Sequence, residues 1–278
     1  MATRAEWEAR VRGELEGKDP ESLATSLPEG FAAPALAPDV DPGLPPPGFW
    51  PYARGSRPPP GRPHNMPRVD VGELGRFRVE IEDDLTGGAD ALWLVARGRA
   101  SALDDVVTAL QHAPGELVVG IDFGEDLAHA RALAEALDAR RRGARVVVFA
   151  APFASGIPTD RPFAIATHAW HAAGAHGTLE LAYAIATGVH SLRQLAKAGV
   201  DLVAAAELVG FSLSVGRDVL VEIAKLRALR VVWAKVLAAA GVAAPAPWIH
   251  AVSSEREMAR RGPWNNLLRG TTGAFAAI

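Results

Sequence analysis

ELVVGIDFGEDLAHARALAEALDARRRGARVVVFAA, residues 116–151, decides the fold. Two almost unbroken apolar runs, ELVVGIDF (116–123) and ARVVVFAA (144–151), flank a charged stretch with helical spacing. A strand with one wet face alternates apolar and polar residues, whereas a strand covered on both faces reads as a continuous apolar run. The stretch between them opens on Glu125 and Asp126 and closes on Arg140, Arg141 and Arg142, the charge order that a helix dipole favours. The reading is strand, crossover helix, strand, which is the unit of a parallel sheet.

The same pattern extends in both directions. LWLVA (92–96), FAIATHAW (163–170), GFSLSVG (210–216) and WIHAVS (248–253) read as further strands. Two long helices separate the later ones. Over 178–198 the stripe is Leu181, Ile185, Val189, Leu192 and Leu195; over 217–240 it is Val219, Ile223, Leu226, Trp233, Val236 and Leu237. About six β-then-α units result, in a parallel sheet that is either doubly wound or closed as a barrel. Six units and a trailing helix do not close an eight-stranded barrel. That helix, from NNLLRG (265–270) to AFAAI (274–278), has no Gly, Asn or Pro stop and an apolar face in need of a partner.

Upstream, residues 4–17 read as a short helix with Trp7, Val11 and Leu15 on one stripe and Glu6–Arg10 and Glu8–Arg12 as i,i+4 pairs. So short a stripe needs a docking surface. Residues 28–71 are irregular, and ten of the 21 prolines lie between Pro42 and Pro67. Such a segment favours extended polyproline II and reads as an arm laid across another surface, with Phe49, Trp50 and Tyr52 as adhesive contacts. The expected division is an arm over 1–71 and an α/β domain over 72–278.

Composition excludes several function classes. The net charge is −3 and the pI about 6.3, so no nucleic-acid footprint is visible. Cysteine is absent, which removes disulfides, thiolate metal sites and a cysteine nucleophile. The opening MATRAEWEARVRGELEG is charged throughout, unlike a signal peptide, and Asp201 and Glu207 interrupt the best apolar run. A soluble, cytoplasmic protein is expected.

Local motifs carry little chemistry. HAWHAAGAH clusters His168, His171 and His176, but no acidic residue accompanies them, and strand-end histidines are the better reading than a metal site. DFGED (122–126) lacks the other kinase signatures, so Asp122 reads as a turn and cap residue. Arg54, Arg57, Arg62 and Arg68 in the arm suit either phosphate binding or solubility; Arg57, Arg62 and Arg68 are the substrate-binding candidates.

Three later segments are more specific: AGAHGTLELAYAIATGV (173–189), EIAKLRALRVVWA (222–234) and PWNNLLRGTTGAFAA (263–277). With KDPESL (18–23), LPEG (27–30) and GLPPPGFWPYARG (43–55), they resemble the adenosylcobalamin-dependent methylmalonyl-CoA mutase family, in character its small, non-catalytic subunit. The resemblance implies a (β/α)8 TIM-barrel type of fold, here incomplete at about six βα units, behind an extended N-terminal arm. It further implies a chain that ends in the sixth barrel helix, whose last helix would pack against pieces not present.

In that family a second domain ligates cobalt through the histidine of a D-x-H-x-x-G motif, which this sequence lacks. Registering on A-G-A and L-E-L-A-Y puts Ala169 where catalytic subunits carry a histidine. His168 is one residue early and, by strand alternation, on the opposite face. The R-x-S that meets coenzyme A becomes Leu208-Val209-Gly210. His250 falls on a family histidine and is the single catalytic candidate. The expectation is a chain inactive alone, binding no adenosylcobalamin itself and stabilising a catalytic subunit in a heterodimer through Trp7, Val11, Leu15, Phe49, Trp50 and Tyr52. Its rivals are a diverged catalytic barrel served by a separate cobalamin-binding chain, and a stand-alone acyl-CoA-binding module.

Overall fold

The computed structural model describes residues 3–36, 45–55, 63–72, 75–96, 103–111, 113, 116–140, 144–243 and 246–278. They fall into two compact units, Met1–Leu44 and Pro45–Ile278. In the first, helix α1 (Arg4–Glu14) opens with a capping box: Thr3 Oγ1 accepts the Glu6 N–H at 3.3 Å and the Glu6 carboxylate accepts the Thr3 N–H at 2.7 Å. The ion pairs are Arg4–Glu8 and Arg10–Glu14, both at 3.1 Å, in place of the expected Glu6–Arg10 and Glu8–Arg12. Glu6 is already committed to the cap. The helix stops at Glu14, short of the expected 17, because Glu16 and Gly17 turn left-handed, with φ of 54° and 89°. A 3-10 turn (Pro20–Leu23) and a two-stranded antiparallel ladder, β1 (Thr25–Ser26) with β2 (Ala32–Ala33), complete the unit.

The second unit is a curled, seven-stranded parallel sheet. In chain order its elements are β3 (Arg68–Asp70), α2 (Arg76–Thr86), β4 (Ala91–Val95), α3 (Leu103–Ala109), β5 (Val118–Asp122), α4 (Leu127–Arg140), β6 (Arg145–Ala150) and β7 (Phe163–Ala166). There follow α5 (His168–Ala172), α6 (Gly177–Lys197), α7 (Leu202–Leu208), β8 (Val209–Val215), α8 (Val219–Ala239), β9 (Ile249–Ser253) and α9 (Asn265–Ala277). Each strand pairs with the next in sequence, from β3 to β9. A doubly wound sheet reverses its strand order at a switch point, whereas a barrel does not. The order therefore selects an incomplete TIM-barrel type over the doubly wound alternative. Six of the seven strands are followed by helices; β6 leads instead into turns over 151–162.

Strand β3 was not expected. At three residues it is too short to show periodicity, and it lies ahead of the expected boundary at residue 72. The proline-rich stretch also departs from an extended arm over 45–55. There the chain folds into tight turns closed by the Gly48 N–H on Gly55 O at 2.9 Å, with positive φ at Gly48, Tyr52 and Gly55.

Pleating gives the sheet two faces. Leu92, Leu94, Val119, Ile121, Val148, Phe163, Ile165, Phe211 and Leu213 face the helical layer and form the main core. Each such fully buried side chain contributes about 1.5–3 kcal/mol of apolar transfer. Trp93, Val95, Val147, Phe149, Ala164 and Ala166 form a second cluster on the inner face, with Met66, Trp248 and Val252 against it. Helix α9 finds partners within the chain. It packs on α8, β8 and β9, and Gly273 lets it approach the Val215 and Gly216 carbonyls. Leu267, Leu268 and Phe275 remain exposed on its other side.

Candidate functional site

The inner face brings together residues that are far apart in sequence. Asp122 ends β5, His168 follows β7, Ser212 is central in β8, and His250 pairs with Ser212 in the ladder of β9. Ser212 Oγ lies 3.2 Å from His168 Nδ1 and 2.9 Å from His250 Nδ1. On its other side, His168 Nε2 faces Asp122 Oδ2 at 3.6 Å. Trp93 presses edge-on against both imidazoles, with centroids 5.1 Å away in each case, and Phe149 meets His250 at 5.0 Å. Arg68 sits over the Trp93 ring at 5.2 Å and pairs with Glu255.

Burial pushes the His250 imidazolium down to about 3, and the like charge of His168 adds to the effect. Burial lowers His168 too; Asp122 opposes that, Arg68 reinforces it, and the ring stays below the ordinary histidine value. Both rings are neutral at physiological pH. Beside His250 lies a cleft of about 750 Å3, walled by Met66, Trp93, Val147, Phe149 and Trp248 and edged by Arg68.

A second polar cluster lies between α6, α8 and β8. Lys225 Nζ is 3.2 Å from Glu180 Oε2 and 2.6 Å from Glu222 Oε2, and it donates to Ser214 O at 2.6 Å. Glu180 also accepts the Ser214 N–H at 2.9 Å and faces His171 Nδ1 at 3.6 Å. Burial raises the Glu180 pKa, but the His171 contact, the Lys225 charge and the Ser214 N–H outweigh it, leaving the carboxyl below its usual range. His171 Nε2 reaches Ser254 Oγ at 3.0 Å, and Arg256 donates to the carbonyls of His171 and Ala175. This cluster ties strand ends to helices.

The clustered histidines take three different partners: His168 turns to Ser212, His171 to Ser254, and His176 caps α6 by accepting the Leu179 N–H. His168 corrects the alternation argument. The strand ends at Ala166, so a helical turn, and no longer the pleat, sets the side-chain direction, and His168 meets His250 on one hydroxyl. Asp122 does serve its turn, accepting the Gly124 N–H at 3.2 Å, while its other oxygen faces His168. Arg57 and Arg62 lie outside the described residues. Arg68 is engaged by Glu255 and Trp93. Trp7, Val11 and Leu15 are half-buried within their unit. Phe49 and Trp50 are 58% and 57% exposed, and Trp50 and Tyr52 border a cavity of about 570 Å3 against Trp233, Leu237 and Val242. Sequence reasoning missed Asp122 as a partner of His168, and it missed Ser212 entirely.

A sequentially ordered parallel half-barrel, with its polar chemistry on the inner face, defines a barrel protein of the TIM type. The sequence profile of the methylmalonyl-CoA mutase family matches residues 139–278, and the chain belongs to that family. The methylmalonyl-CoA mutase small subunit of Streptomyces virginiae is 31% identical, over 99% of this chain and 52% of its own length. The probable small subunit of Mycobacterium bovis is 34% identical over 62% of this chain and 28% of its own. The large subunit of Porphyromonas gingivalis is 32% identical over 44% and 17%. The chain thus spans about half the length, or less, of these curated relatives.

Proposed function

We propose that this chain is a small-subunit-like component of an adenosylcobalamin-dependent methylmalonyl-CoA mutase, non-catalytic itself, which stabilises a catalytic subunit in a cytoplasmic heterodimer. The complex interconverts methylmalonyl-CoA and succinyl-CoA. The observation that carries the reading is the crowding of the inner face at Gly120. Phe149 and Met66 pack so tightly over Gly120 that a Cβ there would lie 2.6 Å and 2.7 Å from them, and Trp93 stacks on Phe149 at 5.9 Å. Bulky side chains therefore narrow the inner face beside the cleft that they wall.

Cobalamin is assigned to the partner. A corrin needs a broad flat surface above its ligating imidazole, but His250 is recessed among Trp93, Phe149 and Trp248, and the residues present do not fit it. No helix among the described residues is long and apolar enough to cross a membrane. The partner contacts are placed on Trp7, Val11, Leu15, Phe49, Trp50 and Tyr52, since exposed clustered aromatics are the usual anchors of such interfaces. A diverged catalytic barrel is the second reading, favoured by the paired histidines on Ser212.

Co-purification with a catalytic mutase subunit tests the proposal. The full chain should be retained and should raise the partner's melting temperature. Trp7→Ala with Phe49→Ala and Trp50→Ala should weaken retention. Turnover of methylmalonyl-CoA by the chain alone with added cofactor would move the assignment to the second reading.

A further inference from the structure

We propose that Asp122, His168, Ser212 and His250 form a directed proton relay that leaves a bare Nε2 on His250, an acceptor site for a ligand carrying a hydrogen-bond donor on a flat apolar body. Ser212 lies between two Nδ1 atoms at 3.2 and 2.9 Å, and a hydroxyl has one proton to give. It can accept from both rings or donate to one and accept from the other, but it cannot donate to both. Asp122 decides which. Its carboxylate faces His168 Nε2 at 3.6 Å and favours the N–H there over a lone pair turned towards an anion. His168 Nδ1 is then bare and accepts the Ser212 O–H. Ser212 in turn accepts the His250 Nδ1–H, and His250 Nε2 carries the lone pair.

No described residue bonds that nitrogen, and His250 lines the cleft of about 750 Å3. The cleft has the size and the apolar walls of a small-molecule site. The other charged groups that act on the pair are Arg68 from β3, Glu180 from α6 and Glu255 after β9, and the Arg68 charge is paired by Glu255. The chain can also move a proton. A donor H–X in the cleft gives its proton to His250 Nε2. The Nδ1 proton passes to Ser212 Oγ, the serine's own proton passes to His168 Nδ1, and X keeps the electron pair. The positive charge lands on His168 beside Asp122 instead of on His250, whose surroundings reject it.

Histidine nitrogen NMR on the full wild-type chain tests this directly. The expected result at neutral pH is an Nδ1–H, bare-Nε2 signature for His250 and the opposite tautomer for His168, with the first added proton appearing on His168. Phenol, a flat ring with a donor, should perturb His250 Nε2 and bind at least about tenfold tighter than benzoate, which has the same ring but only acceptors. Ser212→Ala should uncouple the two histidine titrations, and Asp122→Asn should mix the tautomers. A proton on His250 Nε2 in the wild type, or benzoate binding as well as phenol, would overturn the proposal; neither result depends on a variant folding.

Discussion

Lys225 offers the sharpest test of what holds the sheet to its helices. In Lys225→Met the Glu180 carboxylate, whose side chain is 0% exposed, loses its cation, and so does Glu222. At 3.2 Å and an effective dielectric near 20, the lost attraction to Glu180 is about 5 kcal/mol. Breaking one side of a buried pair costs about 3–5 kcal/mol by comparison with other such deletions, so the two routes agree. For a unit of this size, about 2–4 °C of melting temperature accompanies each kcal/mol, giving a fall of about 6–20 °C. The pH dependence is more diagnostic still. In the wild type the Glu180 pKa is lowered, so its contribution is complete above the unfolded value of 4.5 and is lost as pH falls through the folded value. Without Lys225 the largest influence, burial, acts with less opposition and the pKa rises. The sign then inverts, and stability is lost as pH climbs from 4.5 towards the new folded value. Thermal melts at about pH 5 and about pH 7.5 should show the larger penalty at the higher pH. Glu180→Gln with Lys225→Met should recover much of it, because no uncompensated Glu180 charge remains. A fall below about 2 °C, or an equal fall at both pH values, would refute this account of the cluster.

Gly188→Ala should cost about 1–3 kcal/mol in urea unfolding, because a Cβ there would sit 2.6 Å from the fully buried Trp233 ring; an unchanged midpoint would mean that the ring has room to shift. Thr3→Ala removes the α1 cap and should reduce helical circular dichroism, with a loss of about 0.5–2 kcal/mol, unless Glu6 alone holds the turn. His250 is neutral in the folded chain down to about 3, so its contribution is complete above the unfolded value of 6.5 and falls away as pH drops from there. His250→Phe should flatten the stability–pH slope between 6.5 and 5 by up to about 1.4 kcal/mol per pH unit, and equal slopes would show that the ring is protonated in place.

The sheet was legible because its strands are buried on both faces. ELVVGIDF and ARVVVFAA announce β5 and β6 by composition alone, and the repeated helices between strands announce parallel pairing. What they leave open is strand order, since a doubly wound sheet and a barrel are built from the same unit. β3 was invisible for a different reason. Arg68, Val69 and Asp70 owe their strand conformation to pairing with Trp93, Leu94 and Val95, a partner more than twenty residues away. The turns at 45–55 are held by local bonds from Phe49 to Pro46, Tyr52 to Phe49 and Gly55 to Tyr52 and closed by Gly48 on Gly55, which a count of prolines does not see.

The polar clusters were missed through the weighting of the helical stripes, and here the sequence held a usable signal. On α8 the buried positions are Glu222, Lys225, Leu226, Leu229, Trp233, Ala234 and Leu237, and on α6 they include Glu180, Ala184, Thr187, Ser191 and Leu195. Both sets keep a helical period. Scoring only apolar letters drew the α6 stripe towards Leu181, Ile185 and Val189, about one residue from its true centre. A charge in phase with the apolar positions of one helix, and an opposite charge in phase on the helix beside it, have few places to go except to each other, because either alone would be far too costly to bury. Ser212 carries no such mark. It occupies an inward position of a strand whose seven residues are all buried, and nothing local distinguishes it from Ser214 two positions on. Its importance comes from the register that sets His250 opposite it and from the early end of β7 that turns His168 towards it. Both are properties of strand pairing, which a linear reading cannot supply.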